Sequence, residues 1–174
     1  MDVLNSRGFT IPDAALARGL KEVRWPCRIE VVSRTPLVVL DCAHNEPSAR
    51  ALADTLAKSL PVEGRRAVVF AVSSDKDYPA MLRILAPHFD VFYFCRYGNN
   101  PRCVPPEKLA EELGRIAPEK VGRKYEMSVE AWAAAWAATG KRDGVCVTGS
   151  VFLAGELQDA VRKATMLARR ASEG

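Results

Sequence analysis

Three short stretches carry most of the side chains in this sequence that could do chemistry: Asp41-Cys42-Ala43-His44-Asn45, Asp75-Lys76-Asp77 and Thr148-Gly149-Ser150. Each closes an apolar run. A carboxylate such as Asp41 in that position can accept two hydroxyl protons from a ribose. Lys76, and Arg28 further upstream, can hold phosphate or carboxylate through charge-assisted hydrogen bonds of about 1.5–3 kcal/mol each. Each stretch also has a plainer reading. Asp41 to Asn45 can be a cap and a turn, and a lone histidine such as His44 is more often a structural hydrogen-bonder. The Asp-Lys-Asp turn can be solvated surface, and Gly149-Ser150 a helix start. A thiol-protease reading of Cys42 beside His44 fails, because adjacent positions point apart and no orienting acid is evident. The sequence contains neither G-x-x-x-x-G-K-[ST] nor G-x-G-x-x-G, so it has no phosphate cradle of either kind. A ribose and phosphate clamp without a cradle is half of a site.

The elements that must position these residues are legible. Leu37 to Leu40 is an unbroken apolar run, the pattern of a strand covered on both faces. Asn45 then suits a helix N-cap and Pro47 a first turn, with Ala49, Leu52, Ala53, Leu56, Ala57 and Leu60 at helical spacing. Ala67–Val72 and Val91–Cys95 read as further strands, each followed by an amphipathic helix. A weak strand is expected near Lys124–Glu126, then Ser128 as a cap for a helix bearing Trp132 and Trp136. Gly144–Thr148 is the last strand and residues 151–170 the last helix. Trp132 and Trp136, one turn apart, read as packing, and His88, on a loop after Pro87, as solvent-facing. Near the start, Thr10 to Asp13 opens a short helix with Leu16 and Leu20 inward. Ile29 to Ser33 alternates as a strand, and the brief Arg34-Thr35-Pro36 turn makes it antiparallel to its successor. The expected fold is α/β: a Rossmann-like, mostly parallel sheet with one antiparallel strand and helices on both faces.

Composition narrows the function. A chain of 174 residues can bury about 70% of its unfolded surface and needs neither disulfide nor metal to fold. Five cysteines, an odd number without C-x-x-C spacing, read as reduced thiols rather than a disulfide framework or zinc site. The net charge of +4 is mild, and the densest basic cluster, Arg162, Lys163, Arg169 and Arg170, sits at the end of a helix, where cations are favoured anyway. Nucleic acid is not implied. No apolar run approaches a membrane span and no signal pattern opens the sequence, so the expected compartment is the cytoplasm.

Four segments taken together, Trp25-Pro26-Cys27-Arg28-Ile29-Glu30, Asp41-Cys42-Ala43-His44-Asn45-Glu46-Pro47, Asp75-Lys76-Asp77-Tyr78-Pro79 and Thr148-Gly149-Ser150-Val151-Phe152-Leu153, resemble in order and spacing the C-terminal domain of folylpolyglutamate synthase/dihydrofolate synthase, a branch of the Mur ligase family. The resemblance runs from about Gly8 to Gln158. It implies a domain that closes over ATP in an ATP-dependent amide ligase, in which a folate or dihydropteroate carboxylate becomes an acyl phosphate that the amine of L-glutamate attacks. By resemblance Arg28 contacts phosphate, Asp41 the ribose, and Asn45 belongs to the same nucleotide side. His44, Ser150 and Lys76 belong to the glutamate side or the inter-domain hinge. Cys27 and Cys42 depart from the family, which usually has glycine at both places.

The resemblance further implies that the P-loop, the Mg2+ ligands and most of the folate site belong to an N-terminal domain outside this sequence. No metal ligands are assigned here. Residues 1–24 read as the remnant of that domain and a linker helix, and 25–174 as the glutamate ligase domain, expected to be monomeric and inactive alone. The alternative is a non-catalytic nucleotide- or partner-binding module of the same fold.

Overall fold

The four aliphatic residues Leu37–Leu40 form strand β2, buried along its whole length in the computed structural model, which describes residues 2–98 and 100–173. Ahead of it lie helices α1 (Asp2–Ser6) and α2 (Asp13–Glu22) and strand β1 (Glu30–Arg34). Behind it the chain alternates through α3 (Glu46–Lys58), β3 (Arg66–Phe70), α4 (Tyr78–Leu85), β4 (Val91–Phe94) and α5 (Pro106–Ile116). It ends with β5 (Val121–Lys124), α6 (Ser128–Ala137), β6 (Gly144–Thr148) and α7 (Val151–Glu173).

The strands form one sheet in the order β1-β2-β6-β3-β4-β5. β1 pairs antiparallel with β2, and the other pairings are parallel. The fold is therefore the α/β, Rossmann-like architecture expected. Strand residues alternate between two cores. Val39, Val68, Phe70 and Phe92 meet α3, α4 and α5 on one face, while Val38, Leu40, Val69 and Tyr93 meet α6 and α7 on the other. This division follows from the path: the chain crosses the sheet one way from β2 to β5, then returns to insert β6 between β2 and β3, so its right-handed crossovers place the later helices opposite.

The caps show why these boundaries fall where they do. Asn45 Oδ1 accepts the Ser48 N–H at 3.0 Å, completing a reciprocal capping box for α3. Asp77 caps α4 one way, its carboxylate accepting the Ala80 N–H at 3.0 Å. Arg66 closes the far end of α3 by donating to the carbonyls of Leu56 (3.3 Å) and Leu60 (3.0 Å).

Some local expectations change. β5 occupies Val121–Lys124 and is exposed throughout, ending where the expected strand was to begin. Ser128 lies inside α6, with Met127 at the cap position, and its hydroxyl donates instead to Glu156. α2 buries none of its residues, so Leu16 and Leu20 join no core. His88 is half-buried in a 3-10 turn, Ala86–His88, rather than facing solvent. Trp132 and Trp136 stack with centroids 5.5 Å apart beside α7, as packing.

Candidate functional site

The carboxyl ends of β2, β3 and β6 lie side by side, with α3 and α4 leaving to one face and α7 to the other. A crevice at such a reversal is where open α/β sheets bind ligands. Here it measures about 200 Å³ and is lined by His44, Ser73, Asp75, Lys76, Arg102 and the segment Gly149 to Phe152. A larger groove of about 720 Å³ runs between β1 and the second half of α7, but it holds none of the strand-end groups.

Gly149 makes the crevice possible. Its φ is +107°, and a Cβ there would stand 2.4 Å from the carbonyl oxygen of Ala71 and 2.9 Å from the Phe70 ring. Only glycine lets β6 turn this tightly against β3. Ser150 follows, buried, and its Oγ accepts the Phe152 N–H at 3.1 Å, so the hydroxyl keeps its own proton to donate. The positive end of α7 opens at the same point. Phe152 stacks on Tyr97 with centroids 5.6 Å apart, and the Tyr97 hydroxyl lies 2.5 Å from Ser73 Oγ, which braces that wall.

On the β2 side, His44 Nδ1 lies 2.9 Å from the carbonyl oxygen of Cys42. A carbonyl can only accept, so Nδ1 carries the proton and Nε2 of the neutral ring is the free acceptor. On the β3 side, Lys76 Nζ pairs with Asp75 at 2.9 Å. The Lys76 hydrogen bond holds the Asp75 carboxyl below its ordinary pKa, and the charges of Lys76 and Arg102 add to the effect. Two cations and a helix N-terminus against one surface carboxylate make a crevice suited to an anion, such as a carboxylate or phosphate.

Arg28 and Asp41 form a neighbouring cluster. Cys27 and Ile29, on either side of Arg28, both have left-handed backbones, with φ of 56° and 46°. That conformation is strained for a side-chain-bearing residue and most of all for a β-branched one. Two carboxylates hold it: Cys27 N–H donates to Glu30 Oε2 at 2.8 Å and Ile29 N–H to Asp41 Oδ2 at 2.9 Å. Asp41, only 4% exposed, also accepts the Ala43 N–H at 2.7 Å and the Thr148 hydroxyl at 3.2 Å. The Arg28 side chain is left exposed, its guanidinium 5.5 Å from the centroid of Trp25.

The sequence-predicted residues thus divide. His44, Lys76 and Ser150 share one crevice, Arg28 and Asp41 share a strained turn beside it, and Asn45 sits exposed as the α3 cap. Sequence reasoning missed Arg102, Ser73 and Phe152. Arg102 is brought in by the bridge between Ser73 and Cys103 and by its carbonyl, which accepts the Ser74 N–H at 2.7 Å. No local signal announces a contact across that distance in the chain. Among the described residues no three His, Cys, Asp or Glu side chains are grouped to hold a metal ion.

Comparison of the sequence and fold with known proteins points to one family. Residues 27–151 match the family described as Mur ligase, glutamate ligase domain. Dihydrofolate synthase/folylpolyglutamate synthase of Escherichia coli is 30% identical over 158 residues, covering 91% of this chain and 36% of that protein. The Mycobacterium tuberculosis protein of the same name is 33% identical, covering 81% of this chain and 31% of its own length. The solved structure of E. coli FolC in complex with DHPP and ADP superposes with a TM-score of 0.80 at 30% identity, covering 96% of this chain and 37% of that one. A folylpolyglutamate synthase/dihydrofolate synthase structure with Mn, AMPPNP and L-glutamate bound gives 0.77 at 31% identity, covering 91% and 37%. The chain spans about a third of the length of these relatives. With residues 27–151 matched to the family and its fold superposing on these relatives, this chain belongs to the Mur ligase family, as a glutamate ligase domain.

Proposed function

We propose that this chain is the C-terminal part of a folylpolyglutamate/dihydrofolate synthase, an ATP-dependent ligase that joins L-glutamate to a folate or dihydropteroate. The observation that carries the reading is the convergence of His44, Lys76, Arg102 and Ser150 in one electropositive crevice beside the exposed Arg28. ATP supplies the phosphoryl group that activates the carboxylate. The residues present fit an anionic partner: Arg28 has its guanidinium free for phosphate, and Lys76 and Arg102 offer donors to a carboxylate. His44 Nε2 can accept a proton from an ammonium or amine. Asp41 acts chiefly by holding the Arg28 turn, with the unused lone pairs of its oxygens remaining for a ribose hydroxyl.

On this reading the P-loop and the Mg2+ ligands come from an N-terminal partner domain, and the two halves close to exclude water. Residues 1–24 then form the remnant of that domain and the linker helix, a reading supported by α2 burying none of its residues. The assembled enzyme is taken to work as a cytoplasmic monomer. Among the described residues no helix is long and apolar enough to cross a membrane. The test is complementation. Adding a separately expressed N-terminal P-loop domain is expected to restore glutamate- and folate-dependent ATP hydrolysis, and Arg28→Ala or Lys76→Ala in this chain is expected to lower it at least tenfold. No hydrolysis from two well-folded halves would overturn the assignment. Tight binding of ATP by this chain alone, below roughly 10 μM, would favour a non-catalytic nucleotide-binding module.

A further inference from the structure

We propose that Cys27 and Cys42 are a thiol pair that hydrogen peroxide converts to an intramolecular disulfide, a modification site built into the turn that carries Arg28. Both side chains belong to the same side of the sheet. Cys27 is a buried member of the apolar cluster under α6 and α7, and Cys42 packs against that cluster while remaining partly exposed. Strand parity accounts for the second: Cys42 follows Val38 and Leu40 at two-residue spacing, and both of those face the same cluster. Glu30 pairs with Leu40 in the antiparallel β1–β2 ladder and Ile29 N–H donates to Asp41 Oδ2, so the turn that carries Cys27 runs against the segment that carries Cys42. Cys27 Sγ donates weakly, at 3.8 Å, to the Ala154 carbonyl.

The environments set the order of events. Cys42 has access to solvent, and its thiolate attacks one peroxide oxygen, breaking the O–O bond to give a sulfenic acid and, after proton uptake, one water. Burial pushes the Cys27 thiol up, Glu30 adds to it, and Cys42 and Asp41 contribute in the same direction against Arg162. Cys27 therefore enters second: it gives up its proton as its sulfur attacks the Cys42 sulfenic sulfur, the displaced hydroxide takes that proton and leaves as a second water, and the S–S bond forms. Two thiols and one peroxide give one disulfide and two waters. Cys95, Cys103 and Cys146 are buried, and burial raises the pKa of each, which removes them from competition.

Peptide mapping of the 174-residue chain tests this directly. Trypsin cuts after Arg24, Arg28, Arg34 and Arg50, leaving the two cysteines on separate peptides. After brief hydrogen peroxide treatment and alkylation, the peptide of residues 25–28 is expected linked to that of residues 35–50, released by dithiothreitol and absent from Cys42→Ser and Cys27→Gly. The proposal is overturned if Cys42 reaches sulfinic or sulfonic acid, or joins a second chain, while Cys27 stays free to alkylate. It is overturned equally if the only link found joins Cys95 to Cys103, or if both cysteines remain alkylatable.

Discussion

Asp41 Oδ2 accepts the backbone N–H of Ile29 at 2.9 Å, and this bond ties the end of β2 to a left-handed turn twelve residues earlier. The carboxylate thus serves the position of Arg28, while the exposed Arg28 guanidinium lies over the Trp25 ring. In the isolated chain Asp41→Asn is expected to lower stability by about 2 kcal/mol or more, because an amide cannot accept from both backbone donors. Arg28→Ala is expected to stay within about 0.5 kcal/mol of the parent, as an exposed side chain. Urea denaturation of the two variants checks the contrast.

Cys27 and Gly149 both adopt positive φ but are constrained differently. Cys27→Gly is expected to stay within about 1 kcal/mol of the parent, since relief of the left-handed cost offsets the lost thiol packing. Cys27→Val adds a second β substituent there and is expected to fall about 2 kcal/mol below the glycine variant. Thermal melts of the pair measure the difference.

Gly149→Ala meets backbone rather than a flexible side chain, with the new Cβ 2.4 Å from the Ala71 oxygen. A loss of about 3 kcal/mol is expected, with β6 or β3 shifting at the crevice. Chemical denaturation gives the first quantity, and amide NMR shifts at Ser73 and Ser150 report the second.

His88 gives the pH dependence a sign. Burial lowers its pKa from the ordinary value, and the nearby Arg66 charge lowers it further, against a weaker pull from Asp54. The unfolded chain therefore binds the proton more readily. The contribution of His88 is fully present above the unfolded pKa, about 6.5, and is lost as pH falls through the folded one. Stability measured from pH 7.5 down to 5 is expected to decline less in His88→Gln than in the parent.

Periodicity and punctuation wrote much of this fold into the sequence. The Leu37–Leu40 run, the Asn45 cap and the helical spacing of Leu52 and Leu56 are short-range signals, each satisfied within a few residues, and they fixed β2, α3 and the expectation of a parallel sheet. The same local chemistry marked His44, Lys76 and Ser150, because polar residues at the ends of buried strands share one sheet edge in such a fold. What lay beyond it was long-range. That Asp41 would spend its carboxylate on Ile29 and Thr148, 12 and 107 residues away, depends on how β1 and β6 flank β2. Arg102 enters the crevice only through the pairing of Ser73 with Cys103. Spacing along a chain records which residues can share an element; which elements meet, and which side chains they bring face to face, was decided by the order in which the strands pack into one sheet.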